Sequence, residues 1–377
     1  MKKIIIAPDS FKGSLSAQRF CELAQAVIAR QIPTAEVIAL PLSDGGEGFV
    51  DSFVQGNLAS RCMVTVQDPL ARPTTAEFAW QESTKTAIVE MAQASGLTKL
   101  QPSERNPLQT HTFGCGQIIN KALEQGAKKI VLGLGGSATN DGGVGALRAL
   151  GIQVNDGNGN SVQLGGQGLS HIAQISDIPL RLREIEWVIA SDVTNPLLGE
   201  HGATAVFGPQ KGLQPQHTGE LENGLANWAE KIQQHSGVDV TNLPGAGAAG
   251  GMAAGFIGLL GAKVQPGFNV LNEYLAIDRV FTSQQPISLV ITGEGRIDRQ
   301  TAFGKLPLRI AKMAKSHSIP CVGICGSLGV KLTDLPYFTA LFSIVNSPMS
   351  EYDAMLNAER LLTECIENII SLMSLHN

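Results

Sequence analysis

Aromatic residues are scarce in this chain, 5% of 377 positions, and charged residues reach only 16%. Basic residues do not dominate: 28 Lys and Arg stand against 33 Asp and Glu, for a formal charge of -5 and a pI near 5.8. That balance provides no overall attraction for nucleic acid or an anionic membrane, so the expected partners include neither. No helix-turn-helix or basic recognition segment is visible, which argues against a transcriptional regulator. The six cysteines form no C-x-x-C pair, which excludes a zinc ribbon and a disulfide framework and fits reduced thiols in a cytoplasmic protein. The seven histidines include no i, i+4 pair and no H-E-x-x-H, so a zinc hydrolase is excluded, and without G-x-S-x-G so is the usual serine hydrolase. The apolar run of MKKIIIAPDS is too short for a secretory signal and reads as a first strand.

What the chain does have is glycine, 42 of 377 or about 11% against a usual ~7%. Many tight loops must be built from it. Short apolar runs end in glycine or acid and are followed by helical periodicity, the pattern of βα units with parallel strands. KIIIA (3–7) and EVIAL (36–40) flank a helix capped by Ser14 or Ser16 and ending near Arg30, and PLSDGGEG opens another helix near Phe49. From 61 to 91, the runs CMVTV, AEFAW and TAIVEM predict antiparallel strands. The βα rhythm returns in KIVLGL (129–134), EWVIAS (186–191), SLVITGEG (288–295), CVGIC (321–325) and ALFSI (340–344), and a long helix begins near Ser350. The length and the similar texture of the two ends predict two α/β domains: 1–66 plus 286–377, interrupted by an inserted domain at 67–285.

The segment GAGAAGGMAAGFIGLLGA (245–262) has no charge over eighteen residues, the length of a membrane span. Seven of the eighteen are glycine, each costing a helix about 1 kcal/mol relative to alanine, and no second apolar span accompanies it. A buried loop and helix packed close to a neighbour is the reading that fits.

Parallel sheets bind ligands at the carboxyl ends of their strands, so the residues following each strand carry the functional information. Those ends offer Asp9, Ser10 and Lys12; Ser43, Asp44 and Glu47; Gly135 to Asp141; Asp192, Thr194 and Asn195; and Glu294, Arg296 and Asp298. The loop at 133–143, GLGGSATNDGG, matches the dinucleotide pattern through Gly133, Gly135 and Ala138, with Asp156 further on. Against that, Thr139 to Gly143 occupy the place of the crossover helix. The alternative is a phosphate cradle of backbone N–H groups and hydroxyls in which Gly135, Gly136, Ser137 and Asn140 take part. The motif TGEGRIDRQTAFGK (292–305) is not a Walker A loop: Leu306 replaces the hydroxyl and no glycine stands five residues before Gly304. Phosphoryl transfer needs cations, metal-holding carboxylates and a base. Lys12 and Lys305 can meet phosphates, Glu294 and Asp298 can hold Mg²⁺, and Asp192 can act as base.

Taken in order, APDSFKGSLSA (7–17), PLSDGGEG (41–48), GLGGSATNDGG (133–143), SDVTNPLLG (191–199), LPGAGAAGG (243–251) and TGEGRIDRQTAFGK (292–305) resemble the bacterial type I glycerate kinases over essentially the whole chain. The resemblance implies ATP- and Mg²⁺-dependent phosphorylation of D-glycerate, with 2-phosphoglycerate as product. It also implies two unlike α/β domains, one Rossmann- or flavodoxin-like with a mainly parallel sheet, with the active site in a cleft between them. The motifs fix these positions, and chemistry suggests their roles: Lys12 joins Asp192 as a catalytic group, and Ser10, Arg296 and Asn195 are expected to hold glycerate, Arg296 by a bidentate grip on the carboxylate. A kinase of a related hydroxy acid and an NAD-dependent oxidoreductase are the alternatives, and a homo-oligomer is left open.

Overall fold

The computed structural model describes residues 2–282, 285–299, 301 and 304–374. Its strands, in chain order, are β1 (Lys3–Ile6), β2 (Glu36–Ala39), β3 (Ser60–Gln67), β4 (Pro73–Gln81), β5 (Thr86–Glu90), β6 (Lys129–Gly133), β7 (Val154–Asn155), β8 (Gln174–Ile175), β9 (Glu186–Ala190), β10 (Lys263–Gln265), β11 (Ile287–Ile297), β12 (Cys321–Leu328) and β13 (Ala340–Ser343). The chain divides into two compact units, Met1–Asp44 with Asp51–Gly56 and Phe268–Asn377, and Gly45–Val50 with Asn57–Gly267.

Unit 1 is built on a five-stranded sheet in the order β13-β12-β11-β1-β2, every pair parallel. Strand β1 is KIII, buried throughout, as a central strand covered on both faces requires. The helix Ala17–Gln31 starts where Ser16 accepts the Arg19 N–H at 3.1 Å, and it buries Phe20, Ala24, Val27 and Ile28, a stripe at helical spacing. These side chains join Ile4, Ile6, Ile291, Ile324, Leu361 and Leu362 in one core. Two differences from the local pattern stand out. Strand β11 runs on through GEGRI to Ile297, because Glu294, Arg296 and Ile297 stay in register with Cys325, Ser327 and Leu328 of β12. The long C-terminal helix is two helices, Glu351–Leu356 and Ala358–Ser374, with Asn357 between them donating its amide to the Asp353 carbonyl at 2.8 Å.

Unit 2 carries a six-stranded sheet, β10-β9-β6-β5-β4-β3. Strands β3, β4 and β5 pair antiparallel, and β5, β6, β9 and β10 pair parallel. Strands β7 and β8 form a separate antiparallel pair. The glycine and alanine run becomes the helix Ala248–Leu260, kinked at Ala249, Gly250 and Gly251, whose φ values are 53, 66 and 84°. Close packing explains its composition: a Cβ on Gly250 would lie 2.1 Å from the Thr139 carbonyl, and one on Gly255 2.5 Å from that of Gly142. Among the described residues no helix is long and apolar enough to cross a membrane.

Candidate active site

In unit 1 the strand order reverses between β1 and β11, since β2 lies to one side of β1 and β11, β12 and β13 to the other. A crevice outside the carboxyl ends of the strands at such a switch point is where open α/β sheets bind ligands. A cavity of about 580 Å³ lies here, lined among others by Asp9, Lys12, Asp44, Glu294, Arg296 and Lys305. The Asp9 N–H donates to the Gly293 carbonyl at 2.8 Å and Thr292 Oγ1 to that of Ala7 at 2.7 Å, which ties the end of β1 to β11. Glu294 accepts from Thr301 Oγ1 at 2.8 Å and from Lys305 Nζ at 3.2 Å, so both carboxylate oxygens are engaged. Arg296 lies 3.2 Å from Asp298 and is largely exposed.

Charge in this cavity is held at a cost. Burial, and then the charge of Asp44, push the Asp9 pKa well above the ordinary carboxylate range. Glu294 is raised as well, chiefly by burial, with Lys305 and Thr301 opposing the rise and Asp44 adding to it. A carboxyl whose folded pKa is raised stabilises the fold most below its unfolded value, about 4, and loses that contribution as pH climbs through the folded value. The variant Asp9→Asn keeps an acceptor for the Ser10 N–H, now at 2.7 Å, and removes the buried charge. It is expected to melt above the parent at pH 8, with the gap closing toward pH 4, and to lose activity. Equal melting temperatures at pH 8, read by calorimetry, would show that the charge of Asp9 costs the fold nothing.

In unit 2 the loop after β6 is stitched from within. Gly135 donates its N–H to the Gly45 carbonyl at 2.9 Å, and Ala138 donates to that of Ser95 at 2.9 Å. A Cβ on Gly133 would meet the Gly45 carbonyl at 2.7 Å and one on Gly135 the Cα of Gly46 at 2.4 Å. These two glycines are therefore required by close packing of the backbone. Asp141, fully buried, accepts from Thr112 N and Oγ1 at 2.9 and 2.8 Å and from the N–H groups of Gly143 and Gly145 at 3.2 and 3.1 Å. Asp141→Ala strands these buried donors and is expected to destabilise the protein by about 3 kcal/mol in denaturant unfolding; a change below about 1 kcal/mol would exclude this bracing role.

Lys211, 1% exposed, donates to the Thr139 carbonyl at 2.6 Å. Burial pushes its pKa down to about 7, with Asp141 pulling the other way. Asn140 is fully buried, its amide on Thr204 Oγ1 at 3.2 Å and its Oδ1 without a partner among the described residues. Half-buried Asp192 follows β9 after Ser191. Asn195 donates its side-chain amide to the His201 carbonyl at 2.8 Å.

The family model for the glycerate kinase family matches residues 4–374, with the charged crevice and the braced loop both inside the match. The chain belongs to the glycerate kinase family. Relatives agree along nearly the full length. A glycerate kinase of Halalkalibacterium halodurans is 41% identical over 373 residues, covering 98% of this chain and 97% of that protein. The glycerate 2-kinase of Escherichia coli K12 is 41% identical over 349 residues, 92% of this chain and 91% of that one. A solved structure named for glycerate kinase 2 of Salmonella typhimurium LT2 superposes with a TM-score of 0.83 at 39% identity, covering 100% of this chain and 99% of that one.

Within this family member, Ser10, Lys12, Glu294, Arg296 and Lys305 are brought to one cavity of unit 1, with Asp298 beside Arg296. Gly135, Gly136, Ser137, Asn140, Asp192 and Asn195 belong to unit 2. Two expectations need correction. Gly135 cannot offer its N–H to a phosphate, because the Gly45 carbonyl holds it, and Asn140, fully buried, shapes the loop from inside. The dinucleotide pattern also fails: the helix after the loop begins only at Val144, and Asp156 accepts from Asn158 and Asn160 in its own turn. Sequence reasoning counted Asp9 and Asp44 among the residues that follow the parallel strands but gave neither a role. It also missed Lys211, for which a lysine between Pro209 and Gly212 gives little local signal. Positions 300, 302 and 303 of the last motif lie outside the described residues.

Proposed function

We propose that the protein transfers the γ-phosphoryl group of ATP to D-glycerate, giving 2-phospho-D-glycerate and ADP. The observation that carries this reading is the crevice at the β1/β11 switch point, where four carboxylates and three cationic side chains line one cavity inside a chain of this family. Phosphoryl transfer asks for such a mixture, because charge on the phosphate oxygens must be balanced while the acceptor is aligned. Lys12 and Lys305 face the phosphates, and Ser10, Arg296 and Asn195 orient the glycerate. Asp192 takes the proton of the acceptor hydroxyl as that oxygen attacks phosphorus. Gly136 and Ser137 remain the phosphate-facing part of the unit 2 loop.

Among the described residues no group of three or more His, Cys, Asp and Glu could hold a metal ion by itself. Mg²⁺ usually takes one or two carboxylates together with substrate phosphates. Glu294 and Asp298 fit such a role, and buried Asp9 with its neighbour Asp44 fits it as well, since a bound cation would relieve their repulsion. When bound, the ion neutralises charge on the phosphates.

The test is phosphorus NMR of the products from protein, ATP, Mg²⁺ and D-glycerate. Phosphate on carbon 2 is the expected result. Phosphate on carbon 3 would overturn the position, and no phosphoglycerate with the protein folded would overturn the reaction.

A further inference from the structure

The unit 1 cavity is larger than the reacting groups require and is lined unequally. Glycerate has three carbons, whereas about 580 Å³ is the size of pocket that encloses a much larger ligand. Most of its charged residues come from the ends of β1, β2 and β11 and from Lys305 at the start of the next helix; Glu351, at the start of the helix Glu351–Leu356, is the exception. The opposite part of the lining is mainly apolar: Ile344 and Val345 directly after β13, then Met349, Ala354 and Met355 in the segment and short helix that follow, with Phe11 from the β1 loop; Ser350 and Glu351 are its polar members. Strand order makes this a real separation. Three strand spacings lie between β13 and β1, about 14 Å, a span that a nucleoside triphosphate bridges and glycerate or a lone phosphate does not.

Resting on the kinase reading above, we infer that unit 1 alone seats the nucleoside of the phosphoryl donor. The purine lies on the apolar wall of Phe11, Val345, Met349 and Met355, and the triphosphate points along the crevice toward Lys12 and Lys305. The chemistry of each half suits its occupant. The flat faces of an aromatic base gain from burial against methionine, whose flexible side chain moulds to the ring, while the phosphates need the cations at the other end. Gly13 lets the β1 loop pass under this wall: its φ is 77°, and a Cβ there would sit 3.1 Å from Met355 Cε. The wall is thereby built directly over the loop that carries Lys12. The unit 2 glycine loop, with Gly135 already bonded to Gly45, is left to the acceptor side of the reaction.

Two measurements on the full chain test this. Ala354→Trp fills the apolar end from an exposed helix. It is expected to weaken equilibrium binding of ATP at least tenfold by calorimetry and to raise the KM for ATP in step, with the KM for glycerate within twofold. Leu356→Trp, on the same short helix but exposed and outside the lining, should bind ATP as the parent does. Hydrogen exchange on the unaltered protein provides a second reading that needs no variant: ATP should protect residues 344–358. Unchanged ATP affinity in Ala354→Trp, or protection confined to 133–141, overturns the assignment. Glycerate enters only the steady-state assay. ATP bound at 344–358 without phosphoglycerate formation would leave the nucleotide seat standing and remove the glycerate reaction. Phosphoglycerate formed with ATP protecting elsewhere would do the reverse.

Discussion

Asp192→Asn is expected to lower kcat for glycerate phosphorylation by about 10²- to 10⁴-fold, the range that a positioned general base supplies. The residue stands one position beyond the end of β9, at the carboxyl end of a parallel strand, between Ser191 and Val193, with the Val193 N–H bonded to Ser191 Oγ at 3.2 Å. Asparagine reproduces the shape of the side chain and removes its ability to take a proton, so packing changes little while the chemistry stops. The KM for ATP should stay within about twofold, because the base acts on the acceptor. Steady-state kinetics with each substrate varied in turn separates the outcomes. Turnover within threefold of the parent would remove Asp192 from the reaction. A loss confined to the KM for glycerate would make it a binding group.

Lys305→Met is expected to reduce kcat/KM for ATP by about 10²- to 10³-fold, the usual effect of deleting one charge that stabilises developing negative charge in a transition state. Lys305 also has a second task. Its ammonium lies 3.2 Å from the carboxylate of Glu294 and is the chief influence holding that buried acid toward its ionised form. Without the lysine, burial acts with less opposition and the Glu294 pKa moves further up. A carboxyl must be ionised to hold Mg²⁺, so the acid limb of the pH profile should shift to higher pH in the variant. Lys305→Arg, which keeps the charge, should recover part of the rate and return the limb toward its original place. A loss below threefold in Lys305→Met would detach Lys305 from the phosphates; a full loss with an unmoved acid limb would detach it from Glu294.

Much of this molecule was legible locally. The run KIII, the Ser16 cap and the apolar stripe of the following helix predict a βα unit because strand burial and helical periodicity are properties of a few neighbouring residues. The antiparallel character of β3 to β5 was legible from alternating β-formers between turn residues. The extent of β11 was not, since GEGRI is poor in strand formers and stays extended only because β12 lies in register beside it. The same limit applies in the site. Glycines at 133 and 135 look the same in sequence whether they admit a phosphate or a neighbouring backbone, and here the backbone at Gly45 and Gly46 takes the space.

By itself the sequence determined the family, the alternation of strands and helices, and the set of polar residues that follow the strands, since each is written in short contiguous motifs. Only the tertiary structure decided which of those residues meet. The switch point exists because β11 inserts beside β1, joining Thr292 to Ala7 across 285 positions of chain. No local pattern encodes that pairing. Asp9, Asp44 and Glu294 became neighbours through it, and their mutual repulsion and burial, which the cations of the crevice offset in part, arise from that proximity.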